Sequence, residues 1–423
     1  MASNQNNGGG FMLWAINSIF SIFRNRKIRK LNKKARGVKQ IKKVTTDTLL
    51  PLDSYQDNII ISGGGDLERL KFSERILQNS FAQKQTLVAL HLGNSSLENV
   101  VAGNNLGIIA SQNNKTFDPF TSFEVHEIWQ VVVDTCKAKY GINSNGRYVL
   151  QVVHDLLVAQ KIRPYFANFT NFNYRQIPSR INDCLSAGFI TKTQANDLNS
   201  LLSAGQSEIA KIDNFFNDMA IQVKHIVASD PAKAQAQSVL SAIKFNKTIC
   251  LDLQSSANTM LVELLANTLM IAMGRGYEFS LFLDDIALAN NEALKGILRQ
   301  KSNHNNIICS KDLFVLLDSD ESIFSNIVGV ADRTVLLSHG SHISCEMWSK
   351  YIGEYEKIDV ARNTGGGVFQ SGRWGSFAQS GQTMQDKREY KIKPEEINRL
   401  PQGQVFAYDK RNSDLIQANV AFQ

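Results

Sequence analysis

The sequence predicts an α/β fold, a mostly parallel sheet with crossover helices, interrupted by an all-α insertion. Two observations carry this. Short apolar runs of buried-strand length alternate with amphipathic helical stretches from about residue 50 to residue 119, and again after residue 240, which is the pattern of βαβ units. Between them, residues 120–240 hold apolar positions only at helical spacing. At 423 residues the chain can hold two or three domains with large cores.

Residues 1–45 read as a tail in two parts. After an Asn/Gly-rich start, residues 11–23 form an apolar run of about thirteen residues, short of the roughly 20 that a spanning helix needs. On a helix, Phe11, Trp14, Ile16, Ile19, Phe20 and Phe23 make a broad apolar side. Eleven Lys and Arg follow between Arg24 and Lys43 with no acidic residue, among them Arg26, Lys27, Arg29, Lys30, Lys33, Lys34 and Arg36. The formal charge of +7 therefore belongs to this tail, and the rest of the chain is slightly acidic. The charges come after the apolar run and no small-residue cleavage site follows, so a secretory signal does not fit.

Three readings of the tail stay open. An interfacial helix with a polybasic segment would hold to an anionic membrane surface, each basic residue adding about 1 kcal/mol. The basic run could instead grip nucleic-acid phosphates, through the backbone alone because no aromatics are interleaved. Or an apolar helix packs on the body or a partner, with a solvated charge run behind it.

From residue 46 the elements follow in order. Strands are predicted over 57–62, 86–92 and 107–110, with a helix over 66–83 whose Leu67, Leu70, Phe72, Ile76, Leu77 and Phe81 are apolar. The insertion, residues 120–240, is expected to hold five or six helices, with the aromatic-rich 164–174 stretch as a turn between two of them. After it come strands over 247–253, 278–283, 306–309 and 335–337, and helices over 257–273, 292–300 and 345–352. The first of these helices ends at Gly274 and Gly276, a common helix stop. Residues 363–386 read as a Gly/Ser-rich mobile loop carrying Phe369, Trp374 and Phe377. A short helix over 394–401 and two strands over 404–408 and 415–420 close the chain. The division is thus a tail (1–45), a first α/β part (46–119), the all-α domain (120–240) and a second α/β part (241–423). The five cysteines are scattered without metal-ligand spacing and read as small buried hydrophobes of a reducing compartment.

The chemistry concentrates at Ile59-Ile60-Ile61-Ser62-Gly63-Gly64-Gly65, a strand entering a glycine turn ahead of a helix. A phosphate-binding loop starts this way, but it then requires Gly, Lys and Ser or Thr. This chain has Glu68, Arg69 and Leu70. A second station, Phe282-Leu283-Asp284-Asp285, is a buried strand ending in paired acids, and a third, Ile307-Ile308-Cys309-Ser310-Lys311-Asp312, is a strand ending in polar residues.

These stations, in this order around an all-α insertion, resemble the cytoplasmic ATPase domain of type IV secretion coupling proteins of the TraD/TraG type, a branch of the RecA-like DNA-pumping motors. The closing stretch Lys393-Pro394-Glu395-Glu396-Ile397-Asn398-Arg399-Leu400-Pro401 is similar to that family's last segment. The resemblance covers roughly residues 55–423 and implies a RecA-like P-loop fold. It places Gly63, Gly64, Gly65 and Arg69 in the Walker A loop, Asp284 and Asp285 at Walker B, and Lys311 where a polar residue senses the γ-phosphate.

The departures from the family carry the functional expectation. Arg69 replaces the lysine, Leu70 has no oxygen for Mg²⁺, and Glu68 replaces a glycine that must approach phosphate. Asp285 is shorter by one methylene than the family's glutamate, and His91-Leu92-Gly93-Asn94 replaces Asp-Pro-Lys-Gly after the second strand. The expectation is a pseudo-ATPase without a bound cofactor, acting as a substrate- or partner-binding assembly module. It would work with type IV secretion machinery or a related coupling ATPase, with DNA, effector or relaxase as cargo and with homo- or hetero-oligomers in view. The family's two membrane-spanning helices are replaced here by the tail, which places the protein in the cytoplasm, peripheral at the inner face of the membrane. The alternative is an active ring-forming ATPase that binds ATP and Mg²⁺ and translocates DNA or protein.

Overall fold

The computed structural model describes residues 22–23, 26–27, 29–30, 42–44, 57–83, 86–103, 107–255, 258–288, 291–300, 303–364 and 380–419. Its strands are β1 (Lys42–Val44), β2 (Ile59–Ser62), β3 (Leu87–His91), β4 (Gly107–Ala110), β5 (Thr248–Asp252), β6 (Phe279–Asp284), β7 (His304–Ser310), β8 (Arg333–Leu336), β9 (Glu354–Thr364), β10 (Ser380–Tyr390), β11 (Gln404–Asp409) and β12 (Asp414–Asn419). Ten of them form one sheet in the order β1-β12-β11-β8-β2-β7-β6-β3-β5-β4. From β8 to β4 all neighbours are parallel. The β11–β12 hairpin adds antiparallel to β8, and β1 joins β12 in parallel.

The central strands are apolar because helices cover both faces of the sheet, as a parallel sheet requires. Side chains alternate between the faces. Ile59 and Ile61 pack with Phe72, Ile76 and Leu77 of α1 (Asp66–Ala82) and with Leu97 and Val101 of α2 (Ser95–Ala102). Ile60, Val88 and Leu251 face the other way, into a core continuous with the helical insertion.

That insertion contains α3 (Val125–Tyr140), α4 (Gly146–Ala159), α5 (Phe166–Thr170), α6 (Ile177–Ser186), α7 (Lys192–Gly205) and α8 (Ile209–Val223), and α9 (Val239–Lys244) and α10 (Thr259–Gly274) lead back through β5. The 164–174 stretch departs from its expected turn. It holds α5, and Phe166, Phe169 and Tyr174 are buried around Phe120 and Phe216. The aromatics order it, and the buried Asp118 carboxylate accepts from the amides of Phe120 and Phe166 to fix where α5 starts.

The rest comprises α11 (Glu292–Leu298), α12 (Leu313–Leu316), α13 (Glu321–Val330), α14 (His342–Ile352) and α15 (Pro394–Asn398). Two further expectations change. Residues 363–364 and 380–386 are not loop but the ends of β9 and β10, which pair antiparallel over their full length. A backbone ladder tolerates the polar sequence that suggested a loop. Residues 365–379, with Phe369, Trp374 and Phe377, lie outside the described residues. Residues 42–44, at the end of the basic tail, add a strand to the sheet edge. Arg26, Lys27, Arg29 and Lys30 are exposed on short helical pieces, while Trp14, Phe20, Arg24, Lys33, Lys34 and Arg36 lie outside the described residues. Among the described residues no helix is long and apolar enough to cross a membrane.

The amino end of β2 is anchored far along the chain. The fully buried Asp57 meets Arg333 Nε at 3.0 Å and Arg411 Nη2 at 2.5 Å. This pairing fastens the C-terminal hairpin to the strand that carries the glycine loop.

Candidate functional site

Strand β2 ends at Ser62, between the ends of β7 and β8, and the chain then turns through three glycines into α1. The turn needs glycine. Gly63 has φ +98° and Gly64 φ +72°, and a Cβ on Gly63 would stand 2.7 Å from the His339 ring and from the Ser338 carbonyl. His339 is itself a fixed wall. Its Nδ1–H donates to Leu337 O at 2.9 Å, and Nε2 accepts from Ser62 Oγ at 2.9 Å, while Ser62 accepts from the Leu313 amide at 3.2 Å. Burial lowers the His339 pKa, which keeps the ring neutral as this arrangement requires.

A phosphate loop works by directing backbone N–H groups at an anion from a helix N-terminus. Here the three glycine amides donate within the protein. Gly63 N–H donates to Ser310 O at 3.0 Å and Gly64 N–H to Ser338 O at 2.8 Å. Gly65 N–H donates to Glu68 Oε2 at 2.8 Å, and the other oxygen of that carboxylate accepts from the Gly403 amide at 2.8 Å. Glu68 is 5% exposed, so this carboxylate is an internal anion at the mouth of the loop.

Arg69 is equally committed. Nη1 donates to Gly64 O at 2.8 Å, and Nη2 to Asp66 at 2.6 Å and to Asp285 at 3.0 Å. The guanidinium is 4% exposed and its Nε has no partner among the described residues. Asp285 sits at φ +53°, just past β6, and its second oxygen accepts from the Lys311 amide at 2.7 Å. Arg69, Asp285 and the backbone of Lys311 therefore meet, and the exposed Lys311 side chain is not what reaches the site.

Asp284, at the end of β6, is 8% exposed and accepts from Asn94 Nδ2 at 2.8 Å. Burial raises its pKa, an effect the Asn94 hydrogen bond opposes. One strand further, His91 is fully buried. Its Nδ1 accepts from the Asn94 amide at 2.9 Å, its Nε2 has no hydrogen-bond partner among the described residues, and burial drives its pKa down to about 4. Beside it the Asp252 carboxylate accepts from the amides of Gly93 and Gln254, both at 2.8 Å. Among the described residues no cluster of His, Cys, Asp or Glu could hold a metal ion.

Sequence reasoning missed the partners that close this site: His339, Ser62, Asn94 as a side-chain donor, and Gly403. Only the glycine at 403, after Leu-Pro in a turn, carried a local signal, a φ of +79° in the structure.

No protein-family model and no curated protein matches the sequence. Among solved structures the chain is similar to the bacterial conjugative coupling protein TrwBΔN70 in its unbound monoclinic form, with a TM-score of 0.54 and 12% identity over 94% of this chain and 91% of that one. It is likewise similar to the plasmid coupling protein TrwB in complex with ADP and Mg²⁺, with a TM-score of 0.54 and 12% identity over 94% of this chain and 92% of that one. TrwB with the non-hydrolysable ATP analogue ADPNP gives a TM-score of 0.53 and 13% identity over the same shares, 94% and 92%. With its mostly parallel sheet, flanking helices and all-α insertion, the chain has the RecA-like P-loop fold of the type IV coupling proteins.

Proposed function

We propose that this chain is a type IV secretion or conjugation component that binds and assembles rather than hydrolyses ATP. The observation that carries the reading is the Glu68 carboxylate, which joins the Gly65 and Gly403 amides where a phosphate loop would receive its anion. The residues present do not fit a Mg²⁺–nucleotide. The three glycine amides are engaged, Leu70 offers the metal no oxygen, and the Arg69 cation is held by Asp66 and Asp285. On this reading the fold serves as a scaffold at the cytoplasmic face of the membrane. It contacts secretion machinery or a related coupling ATPase, and DNA or protein cargo, through surfaces other than the loop, and the basic tail provides attraction to anionic lipid.

A second reading, a ring-forming ATPase that translocates DNA or protein, draws on the buried Asp284 at the end of β6 and on the TrwB structures solved with nucleotide. Titration with a fluorescent ATP analogue and a turnover assay with and without DNA decide between them. The expected result is no saturable binding and no turnover. Turnover above about 1 s⁻¹ that is lost in Asp284→Ala overturns the first reading. The combined change Glu68→Gly, Arg69→Lys and Leu70→Thr is expected to confer nucleotide binding that the natural chain lacks. For the tail, flotation with anionic vesicles should be lost when residues 1–43 are removed.

A further inference from the structure

Away from the glycine loop, β6, β3 and β5 lie side by side, and the residue or two after each strand, Ile286, Leu92 and Leu253, line a cavity of about 90 Å³. Ligands of open α/β sheets bind in the crevice outside the carboxyl ends of strands. The first turn of α10 supplies a further wall through Thr259 and Val262. This sixteen-residue helix begins without a side-chain cap, because Asn258 turns its amide group to Leu253 O at 2.7 Å.

Besides Ser255 and Thr259, the polar lining of the cavity includes Asn291. It is 2% exposed, and its Oδ1 caps α11 by accepting from the Leu294 amide at 2.8 Å. Its Nδ2 has no partner among the described residues. A buried amide donor left without an acceptor is costly to the fold, and a ligand acceptor would satisfy it.

We infer that this cavity is an anchor site for one uncharged aliphatic residue of a partner polypeptide, whose main-chain carbonyl accepts from Asn291 Nδ2. The lining carries no charged side chain. A charged group would find no counter-ion in that lining, and a cationic group would meet the Asn291 amide donor instead of an acceptor. The volume is several times what a single water needs, which suits a branched four-carbon side chain. A free ligand of about five heavy atoms reaches micromolar affinity only at the per-atom ceiling, so such a cavity acts as one pocket within a wider protein contact. The inference rests on the cavity and Asn291 alone and holds whether or not the glycine loop binds nucleotide.

The test uses the full chain with labelled isoleucine, leucine and valine methyls, read by NMR. N-acetyl-leucine N-methylamide at millimolar concentration is expected to shift the Ile286 and Val262 methyls saturably. The lysine and aspartate analogues, and isobutyramide, should bind at least about fivefold more weakly. Asn291→Asp and Asn291→Ser both retain a capping oxygen for α11, and each should weaken the leucine probe by about fivefold. Absence of shifts in the natural chain, equal binding of a charged analogue, or unchanged binding in both folded variants overturns the site. Isobutyramide binding as tightly as the leucine probe overturns the assignment to a polypeptide.

Discussion

The carboxyl ends of β2, β7 and β8 differ from those of β6, β3 and β5 in what becomes of their polar atoms. In the first group the polar groups are satisfied within the chain: Glu68 on two amides, and Arg69 on Gly64 and two carboxylates, one of which, Asp285, reaches across from the end of β6. In the second group His91 Nε2, 4.0 Å from Glu98 Oε1, and Asn291 Nδ2 make no hydrogen bond among the described residues, and a cavity stays open. One fold thus retains two crevices at the usual ligand edge, one closed internally and one not. On the proposed reading, the first is closed by two residues, Glu68 and Arg69, whose carboxylate and guanidinium stand where a phosphate loop would have a bound phosphate and a lysine.

The contrast can be broken most forcefully at the closed end. Gly63→Ala combines a left-handed backbone with a collision against His339 and Ser338, and should cost about 3 kcal/mol or more by denaturant unfolding. Gly93→Ala, at φ +66° with open space around it, should cost only about 1–2 kcal/mol. Equal costs would show that the loop is not tightly walled. Glu68→Ala should then cost about 2–3 kcal/mol, since two amides lose a charged acceptor. A cost near zero would mean that the carboxylate does not close the loop.

At the open end the signature is pH. The His91 pKa falls from an ordinary 6.5 to about 4 in the folded chain, so the unfolded chain binds the extra proton between those values. Stability from this group is complete above about pH 6.5 and declines as pH falls toward 4. Asp118 works against it: burial raises its pKa from 3.8 to about 6, so it gains stability as pH drops through that range. Comparison with His91→Asn, whose amide oxygen can replace Nδ1, isolates the histidine. The natural chain should lose up to about 3 kcal/mol more than the variant between neutral pH and pH 4. Parallel pH profiles would contradict this. The smallest effect belongs to Asp66→Ala, since that side chain is 95% exposed. Thermal unfolding should be unchanged within error, and a large change would mean that Arg69 depends on Asp66 more than on Asp285.

Much of the architecture was legible because central parallel strands, covered on both faces, are continuous apolar runs. β2, β3, β5 and β6 are of this kind. β7 was seen only from Asn306, since its first residues are polar. Burial there is supported by pairings that sequence does not reveal: Asn305 with Ser280, the Asn306 amide with Asn58, and the His304 ring stacked on Phe279. The site was legible as three separate stations but not as one network. Arg69 and Asp285 are 216 residues apart, and Glu68 and Gly403 are 335 apart. No local pattern reports a contact of that span.

The place of β2 in the sheet also sets a schedule for synthesis. Its two neighbours, β7 and β8, both lie beyond residue 303, so Ile59-Ile60-Ile61 emerges about 250 residues before either edge can be covered. At roughly 5–20 residues per second this isoleucine triplet waits on the order of ten to fifty seconds as an unpaired strand. It is apolar, β-branched and free of charge, the kind of segment that joins other chains when left open. A nascent chain of this protein therefore passes through a long interval in which a holdase, or the early packing of α1 and β3, must shield its future central strand.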